Sequence, residues 1–153
     1  MANFFEDNDD LRWYFDHGID WDPIVRTTEW NFKAEDAPES TAEAVDTYRD
    51  FLSVIGEFVA SEIAPHTHEL DSQHSKLVDG EVEMGARMQT IFDRIQELEL
   101  HWMTLPREFG GMNTPILLYF LSAELMARGD QSVMTHHGFH GGMAMAMLVF
   151  SIL

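Results

Sequence analysis

Apolar residues recur every three or four positions along most of this 153-residue chain, which is the spacing of amphipathic α-helices. The clearest example follows residue 40, where the apolar positions are Val45, Tyr48, Leu52, Ile55 and Val59. No run of alternating apolar and polar residues is long enough to predict a strand. Helices of this kind bury their apolar faces by packing on one another, so the sequence predicts an all-α fold.

Capping residues and breaks divide the chain into about four main helices behind two short leading helices. The expected N-terminal caps are Asn8 or Asp9, Asp20 or Asp22, Ser40 or Thr41, Asn113 or Thr114, and Asp130 or Ser132. Pro65 is expected to interrupt or kink the first main helix, because its ring has no N–H and clashes with the preceding turn. Residues 66–82 are expected to form a polar loop with a turn at Asp79-Gly80. The predicted architecture is therefore a helical bundle.

The second and third main helices have apolar faces of their own. The second carries apolar residues at helical spacing, namely Met84, Met88, Ile91, Ile95 and Leu98. The expected buried side of the third consists of Leu117, Phe120, Leu121 and Leu125. Between these helices the segment Leu105–Gly111 is expected to be a loop, because two adjacent glycines permit a positive φ.

The charge of the chain is strongly negative and unevenly distributed. The sequence has 27 Asp and Glu against 9 Lys and Arg, a formal net charge of −18, and residues 1–80 hold 19 of the acids. From Phe109 onward only Glu124, Arg128 and Asp130 are charged. An acidic protein repels phosphate backbones and anionic membrane surfaces, so we expect no nucleic-acid partner. The absence of cysteine excludes disulfides, thiolate nucleophiles and cysteine-ligated metals.

We divide the chain into an acidic N-terminal extension with short helices, residues 1–40, and a main helical domain, residues 41–153. The first residues lack the basic and apolar regions of a signal peptide, so we expect a cytoplasmic protein. The longest apolar stretch covers residues 143–153, whereas a membrane span needs about 20 residues. This stretch ends inside a helical pattern without a cap, so we expect the domain to be incomplete at its C terminus.

The start of the last helix contains residues that are unusual in helices. Gly138, Gly141 and Gly142 each cost about 0.5–1 kcal/mol relative to alanine. Glycine allows close approach of either a neighbouring helix or a ligand, and both interpretations stay open at this point. His136 and His140 share one helix face, as zinc-binding histidines do, but the glutamate of the metalloprotease pattern is missing.

No other local pattern carries strong chemistry. A second loose cluster consists of His66, His68, Glu69 and His74. This cluster lacks the combination of Glu and Glu-x-x-His pairs, drawn from several helices, that builds a di-iron bundle. The sequence has no Gly-x-Ser-x-Gly elbow and no phosphate-binding glycine loop. We therefore expect no metal site and identify no nucleophile.

Three stretches, in this order, are similar to a known family. They are Phe58–His66, which ends in Glu-Ile-Ala-Pro-His; Leu98–Gly111, which ends in Leu-Pro-Arg-Glu-Phe-Gly-Gly; and Ala123–Ser132, which contains Ala-Arg-Gly-Asp-Gln-Ser. Each of them lies at an expected helix end. Together they resemble the N-terminal helical domain of the acyl-CoA dehydrogenase family, many members of which lack an extension like residues 1–40.

This resemblance implies an activity in fatty acid metabolism as well as a helical bundle. Members of the family remove two hydrogens from the Cα–Cβ bond of an acyl-CoA thioester; a glutamate takes the α-proton and FAD accepts the β-hydride. An electron-transfer flavoprotein commonly reoxidises the flavin, and the family is typically homotetrameric. A following β-domain and a C-terminal bundle supply most flavin contacts and usually the base. The resemblance therefore implies no catalytic residue in this chain.

The resemblance also implies a substrate-binding role for the start of the last helix. Residues after the family's Arg-x-Asp turn line part of its acyl-chain pocket, and they correspond here to Met134, Thr135 and Gly138. His137 adjoins these positions and is included as a candidate. Some members carry larger or polar residues at the third position, so Gly138 would leave room for a longer or bulkier acyl group.

Two other functions are compatible with the same residues. The apolar last third predicts a non-enzymatic helical interaction module that pairs through its C-terminal helix. Composition does not distinguish this module from a dehydrogenase domain, because both hypotheses predict an apolar surface that packs against another surface. A metal-binding four-helix bundle is the third hypothesis.

Overall fold

The computed structural model describes residues 2–150 and confirms the all-α prediction. Its α-helices are α1 (Asp9–Trp13), α2 (Trp21–Thr28), α3 (Thr41–Phe58), α4 (Thr67–Ser72), α5 (Ala86–Glu97), α6 (Ile116–Gly129) and α7 (Gln131–Phe150). Shorter π-helical or 3-10 turns occupy Tyr14–Gly18, Val59–Ile63, Ala64–His66, Leu100–Trp102 and Arg107–Phe109. The expected continuation of α7 toward Leu153 lies outside the described residues. Within residues 2–150, none of the helices combines the length and the apolarity that crossing a bilayer requires.

Helix α3 begins at the predicted cap. The Ser40 hydroxyl accepts a hydrogen bond from the Glu43 backbone N–H at 3.2 Å, and the Glu43 carboxylate accepts one from the Glu39 N–H at 2.6 Å. These two bonds satisfy donors that a helix start leaves free, in the manner of a capping box. Ahead of Pro65 the regular helix gives way to the π turn Val59–Ile63, as expected near a residue that cannot donate an N–H.

Residues 66–82 do not form the single polar loop that their sequence suggests. They include α4 and most of an antiparallel hairpin built from β1 (Lys76–Val78) and β2 (Glu81–Glu83). Asp79 and Gly80 take positive φ values of 52° and 90°, which suit a tight two-residue hairpin turn. The prediction that the chain has no strand was wrong here, because three-residue strands are too short to show an alternating pattern. The predicted turn is in place.

The core lies where α3 and the π turn after it pack against α6, and the buried face of α6 differs in part from the expected one. Leu121 and Leu125 are buried as expected, but Phe120 is 60% exposed. Leu118 and Met126 are fully buried instead. The reason is that α6 is apolar nearly all round and packs on both α3 and α7, so periodicity alone does not select its buried face.

The acidic extension packs onto the same core. Phe15 and Trp21 are buried with ring centroids 4.9 Å apart, and Trp21 lies 5.6 Å from the ring of Tyr48 on α3. The Asn3 side-chain amide donates a hydrogen bond to the Ser53 carbonyl at 2.9 Å. Buried aromatic rings contribute large apolar areas, so these contacts give the extension a fixed place on α3. The proposed domain boundary between the extension and the main domain stays a prediction.

A buried ion pair joins the Leu105–Gly111 loop to the extension. The Glu29 carboxylate, 1% exposed, accepts two hydrogen bonds from the Arg107 guanidinium, at 2.7 and 2.8 Å. These bonds raise the pKa of Arg107 above its ordinary value, because the carboxylate favours the charged guanidinium. An added Cβ on Gly111 would lie 2.0 Å from the Leu105 carbonyl oxygen, so the loop closes only with glycine there.

Asn113 and Thr114, the expected caps of α6, bond elsewhere. The Asn113 side-chain amide donates to the Thr28 carbonyl at 3.3 Å, and the Thr114 hydroxyl donates to the Met103 carbonyl at 2.8 Å. Pro115, whose side chain can neither donate nor accept, occupies the cap position of α6. The capping prediction was wrong, because both side chains instead hold the preceding loop against its neighbours.

Candidate functional site

The turn between α6 and α7 determines where the candidate residues lie. Gly129, the last residue of α6, sits against the π turn that follows α3, where an added Cβ would be 2.6 Å from Val59 Cγ1. Asp130 then takes an extended backbone conformation. Its Oδ1 accepts hydrogen bonds from the N–H groups of Ser132 at 2.8 Å and Val133 at 3.1 Å. Asp130 is therefore the cap of α7, in agreement with the prediction.

The four candidate substrate-binding residues take two different positions on α7. Met134 is half-buried against the core, His137 is 1% exposed, and Gly138 is half-buried. Thr135 is exposed, and its hydroxyl donates to the Gln131 carbonyl at 2.9 Å within the helix. The structure thus brings three of the candidates to the side of α7 that faces the bundle and leaves Thr135 on the surface. Contact of any of them with an acyl chain stays a prediction.

Tyr119 of α6 lies opposite the glycines of α7. An added Cβ on Gly138 would be 3.0 Å from the Tyr119 hydroxyl oxygen, and one on Gly141 would be 3.5 Å from the Tyr119 ring. The described residues leave open space around the corresponding point at Gly142. Two of the glycines therefore admit a neighbouring helix. Tyr119 is absent from the predicted site because α6 is apolar nearly all round, so its periodicity does not show which residues face α7.

His137 is a buried histidine that makes no hydrogen bond within the described part of the chain. Both ring nitrogens are without a partner there, and the ring stacks on Tyr119 with centroids 6.2 Å apart. Burial, assisted by the neighbouring His101 and His140, lowers the pKa of His137 to about 4. The imidazole is therefore neutral near pH 7, with one nitrogen as a donor and the other as an acceptor.

The remaining histidines of α7 surround an aromatic ring of α5. His136 and His140, the pair at zinc-like spacing, lie on Phe92 with ring centroids 5.7 and 5.8 Å from it. His140 also stacks on His101 at 5.9 Å, and its Nδ1 lies 2.9 Å from the His136 carbonyl oxygen. Across residues 2–150, no group of three or more histidine and acidic side chains is placed to hold a metal ion. Aromatic packing thus accounts for the positions of this pair.

The exposed side of α7 is mainly apolar from Phe139 onward, whereas its first turns expose polar side chains such as Gln131, Thr135 and His136. Phe139 is 67% exposed and Phe150 is 72% exposed. From Phe109 onward the sequence has one Lys or Arg residue, Arg128, and its guanidinium lies over the Phe4 ring at 5.7 Å. The pyrophosphate of FAD requires cations or clustered N–H donors. The described residues of α6 and α7 therefore do not fit FAD by themselves.

Three known proteins are similar to this chain over 104 residues. They are the mitochondrial isovaleryl-CoA dehydrogenase of Arabidopsis thaliana, at 27% identity, the protein of the same name from Oryza sativa subsp. japonica, at 25%, and the mitochondrial 2-methylacyl-CoA dehydrogenase of Solanum tuberosum, at 25%. Each alignment covers 68% of this chain but 23% of the relative. The chain therefore spans only a minor part of the length of these relatives.

A family model gives the broader comparison. The model described as the acyl-CoA dehydrogenase N-terminal domain matches residues 45–151. The matched range begins in α3, includes α4 to α7, and contains the three stretches that carry the sequence resemblance. The family assigned from those stretches is thereby confirmed. The chain belongs to the acyl-CoA dehydrogenase family, of which it carries the N-terminal domain.

Proposed function

We propose that this chain is the N-terminal helical domain of an FAD-dependent acyl-CoA dehydrogenase, which oxidises the Cα–Cβ bond of an acyl-CoA thioester. The support is the family match over residues 45–151, which includes all four candidate residues. The relatives extend far beyond the aligned region, which covers 23% of each. We assign the base and the flavin contacts to the parts of such an enzyme outside this domain.

In this proposal the start of α7 contributes part of the acyl-chain pocket. Met134 and Gly138 contribute to its wall from the half-buried side of the helix and Thr135 from the exposed side, with the buried His137 behind Met134 and Gly138. The observation that carries the assignment is Gly138, a half-buried position without a side chain beside the Tyr119 hydroxyl. An apolar acyl group gains free energy when it leaves water for an apolar wall, and a wall at this position would be bordered by Tyr119. A neutral His137 places no charge next to that group.

The names of the relatives indicate which acyl groups to test first. They are named for isovaleryl-CoA and for 2-methylacyl-CoA, both of which carry branched acyl groups. Glycine leaves more room than any other residue at position 138, and the extra room suits a branched or long acyl group. We therefore propose a branched or extended acyl-CoA as the substrate class.

The remaining parts of the proposal rest on the family. They are FAD as the hydride acceptor, an electron-transfer flavoprotein as its oxidant, a homotetrameric assembly and a role in fatty acid metabolism. Because α6 and α7 do not fit FAD by themselves, we derive no reaction step from their residues. A cytoplasmic location also stays a proposal, whereas the three relatives are named as mitochondrial. Cell fractionation with an antibody against the protein tests the location.

The pocket assignment is tested by changing the size of the residue at position 138. The protein as its gene encodes it is purified, and oxidation of butyryl-CoA, isovaleryl-CoA and octanoyl-CoA is followed with an artificial electron acceptor. Gly138→Val should lower kcat/KM for the two larger substrates by at least about tenfold and change butyryl-CoA less, since added methyl groups fill the pocket. Gly142→Val is the matched control, because Gly142 faces open space.

Equal effects of the two substitutions on all three substrates would contradict a pocket role for Gly138. An enzyme that oxidises none of the acyl-CoAs, although it contains FAD, would contradict the proposed substrate class. Absence of both flavin and oxidation would contradict the dehydrogenase proposal itself.

The second candidate function is the helical interaction module. The observation that favours it is the exposure of large apolar side chains on α7, among them Phe139 and Phe150. Apolar patches of this kind commonly mark protein–protein contacts. In this case the protein lacks flavin, and Phe139→Asp disrupts a self-association that sedimentation velocity detects in the wild type. Flavin-dependent oxidation by the wild-type protein would exclude a purely non-enzymatic module.

A further inference from the structure

A groove with a volume of about 540 Å³ lies beside α3. The candidate substrate-binding residues of α7 do not line it. It is bounded by α3 on one side and by residues 36–38 and 107–114 on the other. Its apolar lining consists of Ala37, Pro38, Ala44, Phe51, Val54 and Met112. Pockets of about 300–1,000 Å³ with a mainly apolar lining typically bind small molecules.

The charged groups along this groove are mostly acidic. Asp36, Glu43 and Asp50 line it, and no second base accompanies Arg107 among its lining residues. The charge of Arg107 is already matched by the buried Glu29, which accepts both of its close hydrogen bonds. The carboxylates that remain give the groove a negative potential, which attracts cations and repels anions such as acyl-CoA. The groove is therefore unsuited to the substrate of the proposed dehydrogenase.

Tyr48 supplies a polar group within this apolar and acidic setting. Its side chain lines the groove and is 5% exposed, and its hydroxyl has no hydrogen-bond partner among the described residues. Burial, and to a smaller degree the charge of Glu29, raises the pKa of Tyr48 to about 12. The phenol therefore stays protonated at neutral pH. A buried hydroxyl without a partner loses stability, which a bound polar group would restore.

We propose that this groove binds a small organic cation, a molecule with an apolar body and one ammonium group. The apolar lining receives the body, and the three carboxylates attract the charge. The Tyr48 hydroxyl, which is closed to water in the structure, turns toward the ligand and accepts a hydrogen bond from the ammonium group. The volume accommodates a small molecule, whereas a stable protein–protein contact needs at least about 1,000 Å² of buried surface. This site is independent of the acyl-CoA proposal.

The test uses three probes that share one apolar body and differ in charge. They are 4-phenylbutylamine, 4-phenylbutanol and 4-phenylbutyrate, titrated at pH 7 into the protein as its gene encodes it, with calorimetry as the readout. The amine, cationic at this pH as a lysine is, should bind at least about tenfold more tightly than the alcohol, and the acid should bind least. Raising the salt concentration should weaken the binding of the amine and leave the binding of the alcohol nearly unchanged.

Two substitutions and one control locate the binding site. Tyr48→Phe keeps the ring and removes the hydroxyl, and it should weaken amine binding about tenfold, as expected for a hydrogen bond to a charged group. Asp50→Asn should weaken it about two- to fivefold. Asp46→Asn is the matched control, since Asp46 is an exposed acid on the same helix that does not line the groove, and binding should be unchanged.

Other results would overturn the proposal. The groove is not a cation site if no probe binds saturably, or if the amine and the alcohol bind equally. The proposed cation site is also excluded if the folded Tyr48→Phe variant binds the amine with the affinity of the wild type. In that case thermal unfolding should show a more stable variant, because a buried unpaired hydroxyl has been removed.

Discussion

Two buried polar side chains, Glu29 and His137, differ in how their surroundings satisfy them. Both are 1% exposed. Glu29 accepts two hydrogen bonds from Arg107, whereas His137 makes none within the described part of the chain. A buried polar group without a partner costs about 1–3 kcal/mol, and a buried charge costs more. The polar groups of the first region are therefore satisfied, whereas the second region keeps a polar group without a partner at a destabilising cost.

The surfaces around these two residues show the same contrast. The loop that carries Arg107 is tied to the extension, because Asn113 also bonds to the Thr28 carbonyl. Helix α7 instead exposes Phe139 and other apolar side chains, and its buried side packs mainly on α6, with further contacts to Phe92 of α5 and to the turn Leu100–Trp102. We infer that the ion pair of Glu29 contributes more to the stability of the fold than single side chains of α7 do. Four predictions test this contrast, in order of decreasing expected effect.

The largest effect is expected from Glu29→Ala. It leaves the Arg107 guanidinium without its carboxylate, and breaking one side of a buried pair typically costs about 3–5 kcal/mol. Because Arg107 is 25% exposed, we expect the lower end of that range. Urea unfolding measures the loss. Arg26→Ala is the control, since its pair with Asp22 is about half exposed and should contribute less than about 1 kcal/mol; equal losses would contradict the distinction.

The second effect concerns the pH dependence of stability at His137. The folded pKa is about 4 and the ordinary value is 6.5, so the unfolded chain binds more protons between these values. The contribution of His137 is thus fully present above about pH 6.5 and decreases by about 3 kcal/mol as the pH falls to about 4. His137→Phe should remove this part of the acid sensitivity.

Urea unfolding of the wild type and of His137→Phe at pH 7.5 and pH 4.5 measures that difference. His74→Gln is the control, because His74 is exposed in the segment before β1, and its pH dependence should equal that of the wild type. If His137→Phe were as acid-sensitive as the wild type, His137 would not be buried as a neutral ring.

The third effect compares two glycines and predicts opposite signs. Gly129→Ala places a Cβ 2.6 Å from Val59 Cγ1, and overpacking of this kind typically costs about 1–3 kcal/mol, which the better helix propensity of alanine offsets only in part. Gly142→Ala meets open space and should stabilise the protein by up to about 1 kcal/mol. Thermal unfolding of both variants measures the effects, and a shift of the same sign in both would contradict the described packing.

The smallest effect is expected at the cap of α7. Asp130→Ala removes an acceptor for two backbone N–H groups and should cost about 1 kcal/mol in unfolding free energy. Ser132→Ala at the exposed second position should change it by less than about 0.5 kcal/mol. Chemical denaturation of both variants provides the measurement. Similar losses in the two variants would contradict the assignment of the cap to Asp130 alone.

Capping residues and helical spacing predicted much of this fold, whereas contacts between residues distant in sequence could not be predicted. The cap at Ser40 and the cap at Asp130 follow from short spacings and are in place. The pairing of Glu29 with Arg107, by contrast, joins residues 78 positions apart, and no spacing rule connects them. The buried face of α6 escaped for a different reason, since a helix that is apolar all round carries little directional information.

The candidate site was predicted by resemblance rather than by pattern. The family motifs led to Met134, Thr135, His137 and Gly138, whose role in binding stays a prediction. Local spacing identified the glycines of α7 as unusual but did not identify Tyr119, which lies on another helix. The low pKa of His137 depends on burial by several elements, which the sequence around it does not report.

The ion pair between Glu29 and Arg107 has a consequence for how the chain folds and can be divided. Sequence similarity to the family begins at residue 45, but the pair crosses that boundary. A protein shortened to begin there would retain the cation and lose its carboxylate together with the aromatic rings of Phe15 and Trp21. Because a guanidinium that loses its buried partner destabilises a fold, we expect the shortened protein to unfold at lower urea concentration than the whole chain.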